Sequence, residues 1–236
     1  MCALTHKPMV GSGLRAGALG MDKWATKLVA EAVGIHTAPG RLVAAEIADI
    51  EFETDVVVKP ASAGSSFGVT LARDASQLRD ALRCAARFDD RILIEDVVPG
   101  REIDVAVLRE ADGCRWASPP LEIHADGLFD TQSKYDGSAR FSVPADIDSA
   151  DRDTLAGEAL RMFDALGCAG VARIDFFLTD DGPVLNEVNT MPGMTAESQV
   201  PRMFAAAGLP YEQLVARLVD AATVPGSRMS AIHPAA

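Results

Sequence analysis

The chain has 236 residues, and its 34 Asp and Glu against 22 Lys and Arg give a formal net charge of −12. Hydrophobic residues make up 48% of it and charged residues 24%, which is typical of a globular protein and excludes a disordered, fibrous or coiled-coil chain. The acidic excess argues against nucleic acid or an anionic membrane as the main partner. No apolar run approaches the roughly 20 residues that span a bilayer.

The start of the chain and the cysteines indicate a cytoplasmic protein. Residues 1–13 contain one lysine and no apolar stretch of the length found in secretory signals. The four cysteines (Cys2, Cys84, Cys114 and Cys168) are scattered and form no Cys-x-x-Cys pair. This spacing favours reduced thiols over a disulfide framework or a zinc site.

The residue patterns predict an α+β protein, because the helices and strands do not alternate as in a series of β-α-β units. In chain order the elements are a helix (22–34), a strand (55–59), a Gly/Ser loop (61–68), a helix (74–87), two strands around Pro99-Gly100 (91–98 and 102–108), a further strand (117–123), a long polar loop (124–144), a helix (151–166), a hairpin (171–178 and 184–189) and two closing helices (197–207 and 211–222).

The predicted hairpin carries the most informative side chains. Because side chains alternate along a strand, Arg173 and Asp175 share one face, and on the return strand Leu185, Glu187 and Asn189 share a face. The turn brings Asp175 across from Glu187, and carboxylate and amide oxygens of this kind suit Mg²⁺. The alternative is a solvated face with an ordinary Arg–Asp pair.

Several weaker signals are consistent with nucleotide binding. The loop 61–68 follows Lys59 and could let the backbone approach a phosphate, although it is not a P-loop and an ordinary turn is the alternative. Lys23 and Lys59 could supply positive charge or be surface lysines. Glu95 and Glu102 could hydrogen-bond an adenine amine and ribose hydroxyls or be solvated. The Pro-Gly pair in residues 189–195 could offer backbone N–H groups to an anion or form a simple turn.

Together these segments resemble the ATP-grasp family and, within it, the D-alanine–D-alanine ligases. The resemblance extends over residues 8–222 in the family's order. Its motifs are GSGLRAGALGMDK (11–23), VVKPASAGSSFG (57–68), residues 94–102, Lys134-Tyr135, RID (173–175) and EVNTMPGMT (187–195). The resemblance implies an ATP-grasp fold, in which two lobes of antiparallel sheet and helices hold ATP between them.

The resemblance also implies the residues of an ATP site. Lys23 and Lys59 look like the lysines that bind the phosphates. Ser65, followed by Ser66, resembles the serine of the mobile glycine-rich loop. Glu95 and Glu102 correspond to the residues that hold adenine and ribose. Asp175, Glu187 and Asn189 match ligands for two Mg²⁺ ions, for which Mn²⁺ can substitute.

The same resemblance implies the catalytic groups of a ligase. Lys134 and Tyr135 match the lid pair, and a tyrosine there is similar to the type that accepts an amine. Arg173 looks like the arginine that stabilises the acyl-phosphate and the tetrahedral species, and the Gly193 N–H resembles the oxyanion donor. Ser198 matches the residue that binds the second substrate's carboxylate. The implied reaction joins the carboxylate of one amino acid to the amine of another through an acyl-phosphate, as in peptidoglycan precursor synthesis.

Two departures from the family leave alternatives open. Asp96 and Val97 stand where the family has a basic and an aromatic residue, which implies a looser adenine clamp. The pattern begins at Gly11, where the family has an N-terminal domain of roughly 100 residues. The alternatives are therefore a ligase for other small amino acids, or a nucleotide-binding remnant or partner subunit without full activity.

The departure at the start of the pattern also leads to expectations about organisation and partners. The expected organisation is an N-terminal segment (1–20), a central lobe (21–102), a C-terminal lobe with the metal site (103–225) and a flexible tail (226–236). We expect small amino acids and ATP as ligands, and either a homodimer or a partner chain that supplies the N-terminal lobe. A bare apolar surface is expected around Val10, Leu14 and Leu19, and alone the chain should ligate D-alanine poorly.

Overall fold

The computed structural model describes residues 2, 5, 7–45, 50–124 and 140–223, and within these it contains six helices and ten strands. In chain order they are α1 (Leu14–Met21), α2 (Lys23–Ala32), β1 (Gly40–Ala44), β2 (Val56–Pro60), β3 (Thr70–Ala72), α3 (Ala75–Ala85), β4 (Arg91–Asp96), β5 (Arg101–Arg109), β6 (Arg115–Ala117), β7 (Leu121–His124), β8 (Arg140–Ser142), α4 (Ser149–Leu166), β9 (Val171–Thr179), β10 (Gly182–Asn189), α5 (Gln199–Ala206) and α6 (Tyr211–Thr223).

The strands form two antiparallel sheets. The smaller sheet has four strands in the order β1-β4-β2-β3. The larger has six, in the order β10-β9-β5-β7-β8, with β6 also paired to β5. The predicted α+β class with two antiparallel sheets is therefore confirmed.

Helices α2, α3 and α4 lie where their end signals and apolar spacing place them. The Asp22 side chain accepts a hydrogen bond from the Ala25 N–H and caps α2, and Asp74 accepts from two N–H groups at the start of α3. Helix α4 ends at Gly167, whose φ of 71° is left-handed and suits a glycine. The predicted helices in these three regions are confirmed.

Three apolar clusters pack the helices against the two sheets. One face of the six-stranded sheet packs against α1, α2 and α4, with Phe163 and Phe176 at its centre. Part of the opposite face is covered by α5 and α6 around Phe204. Helix α3 covers one face of the four-stranded sheet through Leu78. The remaining faces of the two sheets carry most of the polar residues considered below.

Some elements differ from the predicted ones. Strands β4 and β5 flank Pro99-Gly100 as predicted, and they belong to different sheets, β4 to the four-stranded sheet and β5 to the six-stranded one. The predicted strand 117–123 is two strands, β6 and β7, separated by a segment that contains Pro119 and Pro120, and proline cannot donate to a ladder. Helix α1 and strands β1 and β3 were not predicted.

Some predictions concern residues that the structure does not test. Residues 125–139, which contain most of the predicted long loop, and residues 224–236, which contain the predicted tail, lie outside the described residues. The predicted division at residue 102 remains a prediction, although the four-stranded sheet ends at Asp96 and β5 begins at Arg101. Among the described residues, no helix is both long and apolar enough to cross a membrane.

Candidate functional site

The β9–β10 hairpin places the predicted acidic residues in one row. Glu187 pairs with Asp175 and Asn189 with Arg173 in the antiparallel register, as the sequence predicted. A bulge between Leu185 and Glu187 changes the alternation, so Leu185 lies in the core beside Phe176 and does not share the face of Glu187. The prediction that Leu185 shares that face was wrong because one extra residue, Asn186, enters the strand.

Arg173 is the centre of this row. Its guanidinium donates two hydrogen bonds to Asp175, each of 2.7 Å, and its Nε lies 3.3 Å from Asp104 Oδ2 on the neighbouring strand β5. It also donates to the side-chain oxygen of Gln199 at the start of α5. Burial opposes the charged form, but Asp175 and Asp104 outweigh it and hold the pKa of Arg173 well above its ordinary value. The arginine is therefore a fixed positive charge in a buried setting.

A second polar cluster lies on the four-stranded sheet, on the face opposite α3. Glu95 Oε2 is 2.5 Å from Lys59 Nζ, and Glu95 Oε1 is 2.8 Å from Lys27 Nζ. All three residues are buried. Burial works to raise the pKa of Glu95, but Lys59 and Lys27 outweigh it and hold that pKa below its ordinary value.

Lysines from β2 and α2 join the four-stranded sheet to the hairpin of the six-stranded sheet. Lys59 Nζ lies 3.4 Å from the Asn186 side-chain oxygen on β10. Lys23 Nζ, at the start of α2, is 3.5 Å from Glu187 Oε2 and donates a 2.7 Å hydrogen bond to the Ala63 carbonyl in the loop after β2. The predicted phosphate lysines and the predicted metal residues are thus adjacent at the junction of the two sheets.

The Gly/Ser loop after β2 has an unusual backbone. Ser65 and Ser66 have φ values of 56° and 55°, in the left-handed region that non-glycine residues seldom occupy. Strained backbone of this kind clusters at ligand-binding sites. Phe67 in the same loop is exposed and stacks on Phe88.

Glu102, Gly193 and Ser198 lie on or beside the six-stranded sheet. Glu102 is on β5, two residues before Asp104 and therefore on the same face. Ser198 Oγ is 2.8 Å from Thr195 Oγ1, and a Cβ placed on Gly193 would be 3.0 Å from Ser198 Oγ. Gly193, Thr195 and Ser198 thus form one small cluster beside Gln199 and Arg173. Lys134 and Tyr135 lie outside the described residues.

Four residues that sequence reasoning missed are part of these clusters: Lys27, Asp104, Asn186 and Gln199. Lys27 is one helical turn after Lys23, so that spacing was a usable signal. Asp104 within an apolar strand was another, because a carboxylate in a buried strand needs a partner. A cavity lined by Arg41, Phe52, Leu78 and Ile94 lies on the other face of the four-stranded sheet, away from Lys59 and Glu95.

Comparison with known proteins agrees with this arrangement. The family model described as the D-ala D-ala ligase C-terminus matches residues 32–220. The D-alanine–D-alanine ligase of Mycolicibacterium vanbaalenii is 41% identical over 238 residues, which cover 95% of this chain and 65% of that protein. The chain therefore spans about 65% of the length of this curated relative.

Two solved structures are similar over most of the chain. The VanG D-Ala:D-Ser ligase of Enterococcus faecalis has a TM-score of 0.82 and 30% identity, covering 94% of this chain and 67% of that one. The D-alanine–D-alanine ligase of Bacillus anthracis, in a structure complexed with ATP, has a TM-score of 0.79 and 26% identity, covering 94% and 72%.

These likenesses and the two facing sheets define the ATP-grasp fold, as the sequence predicted. The chain belongs to the D-alanine–D-alanine ligase family, whose C-terminal family model matches most of its length.

The charge on Glu95 should make the fold sensitive to acid. Its folded-state pKa lies below the ordinary value of 4.5, so its stabilising effect is present above pH 4.5 and is lost as the pH falls through the folded-state pKa. We expect Glu95→Gln to flatten this part of the stability curve. Urea unfolding from about pH 6 to about pH 3 measures it. The exposed Glu53→Gln variant is the control and should follow the parent; equal acid slopes in the parent and Glu95→Gln would contradict the assignment.

Proposed function

We propose that this chain carries the ATP-binding and phosphoryl-transfer part of a carboxylate–amine ligase of the D-alanine–D-alanine type. The proposal rests on the position of Lys23 and Lys59, which contact the β9–β10 hairpin at the junction of the two sheets. The same hairpin carries Arg173, Asp175 and Glu187. Positive charge for phosphates and hard oxygen ligands for a cation are what ATP-dependent phosphoryl transfer requires. Family membership supports the same activity.

The nucleotide would lie between the sheets. Lys23 and Lys59 would bind its phosphates, since both are held at the junction by contacts to oxygen atoms. The left-handed backbone of Ser65 and Ser66 would present N–H and hydroxyl donors to the same phosphates. Glu95 and Glu102 would face the adenine and ribose, although both oxygens of Glu95 already contact lysines.

The residues of the hairpin fit a divalent cation. Asp175, Glu187 and Asn189 offer two carboxylates and an amide oxygen in adjacent register positions, and Mg²⁺ favours one or two carboxylates together with phosphate oxygens. Among the described residues, His, Cys, Asp and Glu alone form no group of three, so the set needs Asn189. The Asn189 oxygen also accepts a 3.1 Å hydrogen bond from the Met191 N–H, which fixes its direction. Bound there, Mg²⁺ or Mn²⁺ would neutralise phosphate charge, and two ions are proposed.

The protein's own groups would position the substrates and stabilise charge. The first amino acid's carboxylate attacks the γ-phosphate of ATP and yields an acyl-phosphate and ADP. The second amino acid's amine then attacks the acyl carbon, and phosphate leaves. Arg173, held by two carboxylates, would stabilise the negative charge of the acyl-phosphate and of the tetrahedral species. The Gly193 N–H would donate a hydrogen bond to the oxyanion of the tetrahedral species. Ser198 would bind the acceptor's carboxylate, and Lys134 and Tyr135 remain sequence-based members of the site.

The substrate class within this reaction is small amino acids. D-alanine is proposed for both positions, as in peptidoglycan precursor synthesis in the cytoplasm. A different small acceptor is the second candidate, because one similar structure is named as a D-Ala:D-Ser ligase.

An exposed apolar surface supports a protein partner. Leu14 is 84% exposed and Val10 48%, as expected, and Met21, which was not part of the expected surface, is 51% exposed. Leu19 instead packs against the core, because it lies on the inner side of α1. We propose that a second polypeptide covers Val10, Leu14 and Met21, either another copy of this chain or a chain that carries the family's N-terminal lobe.

Binding of Mg²⁺ and ATP should stabilise the chain. At a concentration 100 times the dissociation constant, the free energy of unfolding rises by about 2.7 kcal/mol, which for this size corresponds to a melting shift of about 5–10 °C. Thermal melts with millimolar Mg-ATP measure it. The absence of any shift would contradict ATP binding.

Amino-acid dependence tests the substrate class. We expect ADP release to rise on addition of D-alanine, or of D-alanine with D-serine, and not on addition of L-alanine. The assay is coupled ADP detection on the full chain, alone and together with an N-terminal lobe taken from a relative. If L-amino acids stimulate release as well as D-amino acids in both arrangements, the D-alanine assignment is wrong.

Removal of one hairpin charge should separate metal binding from folding. Glu187→Gln keeps the shape but removes a negative charge, so we expect ATP affinity to lose most of its dependence on Mg²⁺. Calorimetric titration of ATP with and without Mg²⁺ measures it. Glu197→Gln, whose parent side chain is 84% exposed, is the matched control. Unchanged Mg²⁺ dependence in Glu187→Gln would place the metal elsewhere.

A further inference from the structure

Lys27 is a buried lysine of α2 that family resemblance did not single out. Its side chain is 5% exposed, and its ammonium lies 2.8 Å from Glu95 Oε1. It also donates to the carbonyl of Ala38, in the segment before β1. Burying a lysine ammonium is costly unless it is paired and hydrogen-bonded. The contacts to Glu95 and Ala38 therefore hold the Lys27 ammonium in this position.

Glu95 itself has little freedom to move. Gly40 on β1 pairs with Glu95 on β4, and a Cβ at Gly40 would come within 2.9 Å of Glu95 Cγ. The carboxylate is therefore fixed between Lys27 on one oxygen and Lys59 on the other. Each lysine approaches a different oxygen, so one can leave while the other remains.

The charges of Lys27, Lys59 and Glu95 do not cancel. Two ammonium groups face one carboxylate, which leaves one net positive charge in a buried setting. If Lys59 turned from Glu95 towards a phosphate, Lys27 would still pair with Glu95. If Lys27 were absent, the same movement would leave a buried carboxylate without a close counter-charge, and such an isolated charge is strongly unfavourable.

We propose that Lys27 is a positioning residue of the nucleotide site, which holds Glu95 and so releases Lys59 to bind a nucleotide's phosphates. This inference rests on the proposed ATP binding and adds a residue to it. Lys27 would act through Glu95 and Lys59 without touching the nucleotide. Loss of Lys27 should therefore weaken the binding of ligands that carry phosphates and leave the binding of adenosine, which has none, nearly unchanged.

The test compares ATP with adenosine in calorimetric titrations of the full chain. Lys27→Met should weaken Mg-ATP binding about tenfold or more, the equivalent of one charge-assisted contact, and change adenosine binding by less than about threefold. Lys27→Arg keeps the charge and should retain most of the ATP affinity. Arg79→Met, at an exposed position of α3, removes one positive charge elsewhere and is the control for net charge.

A double variant separates positioning from a structural role. In a Glu95→Gln background there is no carboxylate to hold Lys59, so adding Lys27→Met should change ATP affinity by less than about twofold. This double variant also contains no unpaired carboxylate at residue 95, so it keeps the test available if Lys27→Met alone fails to fold. An equal loss of ATP and adenosine binding, or an undiminished loss in the Glu95→Gln background, would overturn the proposal. If the parent chain binds no ATP, the proposed function itself fails, and that result is visible before any variant is made.

Discussion

A buried ammonium or guanidinium group needs a counter-charge, and this requirement connects the two sheets of the chain. Glu95 on the four-stranded sheet holds Lys59 and also Lys27 of α2, a helix that packs on the six-stranded sheet. Lys23 of the same helix contacts Glu187 on β10 and the Ala63 carbonyl in the loop after β2. Arg173 is fixed in the same way by two carboxylates. Because these charges are paired at the junction, the fold can bury two lysines and an arginine there in a protein whose net charge is −12.

Much of the fold was predictable from local patterns. The apolar spacing of α4 and its stop at Gly167, and the N-caps Asp22 and Asp74, are signals carried by neighbouring residues, and the structure confirms them. The pairing of Asp175 with Glu187 was also predictable, because a hairpin turn fixes the register of its two strands. The functional residues came mainly from family resemblance, and their assigned roles remain proposals.

Other features depend on contacts between distant residues and could not be predicted. The bulge at Asn186 changes the face of Leu185, and nothing in the short sequence of β10 signals an extra residue. The separation of β4 from β5 follows from how two sheets are assembled, since Pro99-Gly100 would also suit a hairpin. Lys27 and Gln199 acquire their partners only when α2 meets β4 and when α5 begins beside β9. The sequence around a single residue contains no information on such contacts between distant elements.

The most direct test of the account is a crystal structure of this chain with Mg²⁺ and a non-hydrolysable ATP analogue. We expect the phosphates to contact Lys23 and Lys59, the metal to bind Asp175, Glu187 and Asn189, and Lys27 to remain paired with Glu95. A nucleotide bound away from the junction of the sheets, or a hairpin in which Asp175 and Glu187 contact neither metal nor phosphate, would contradict it.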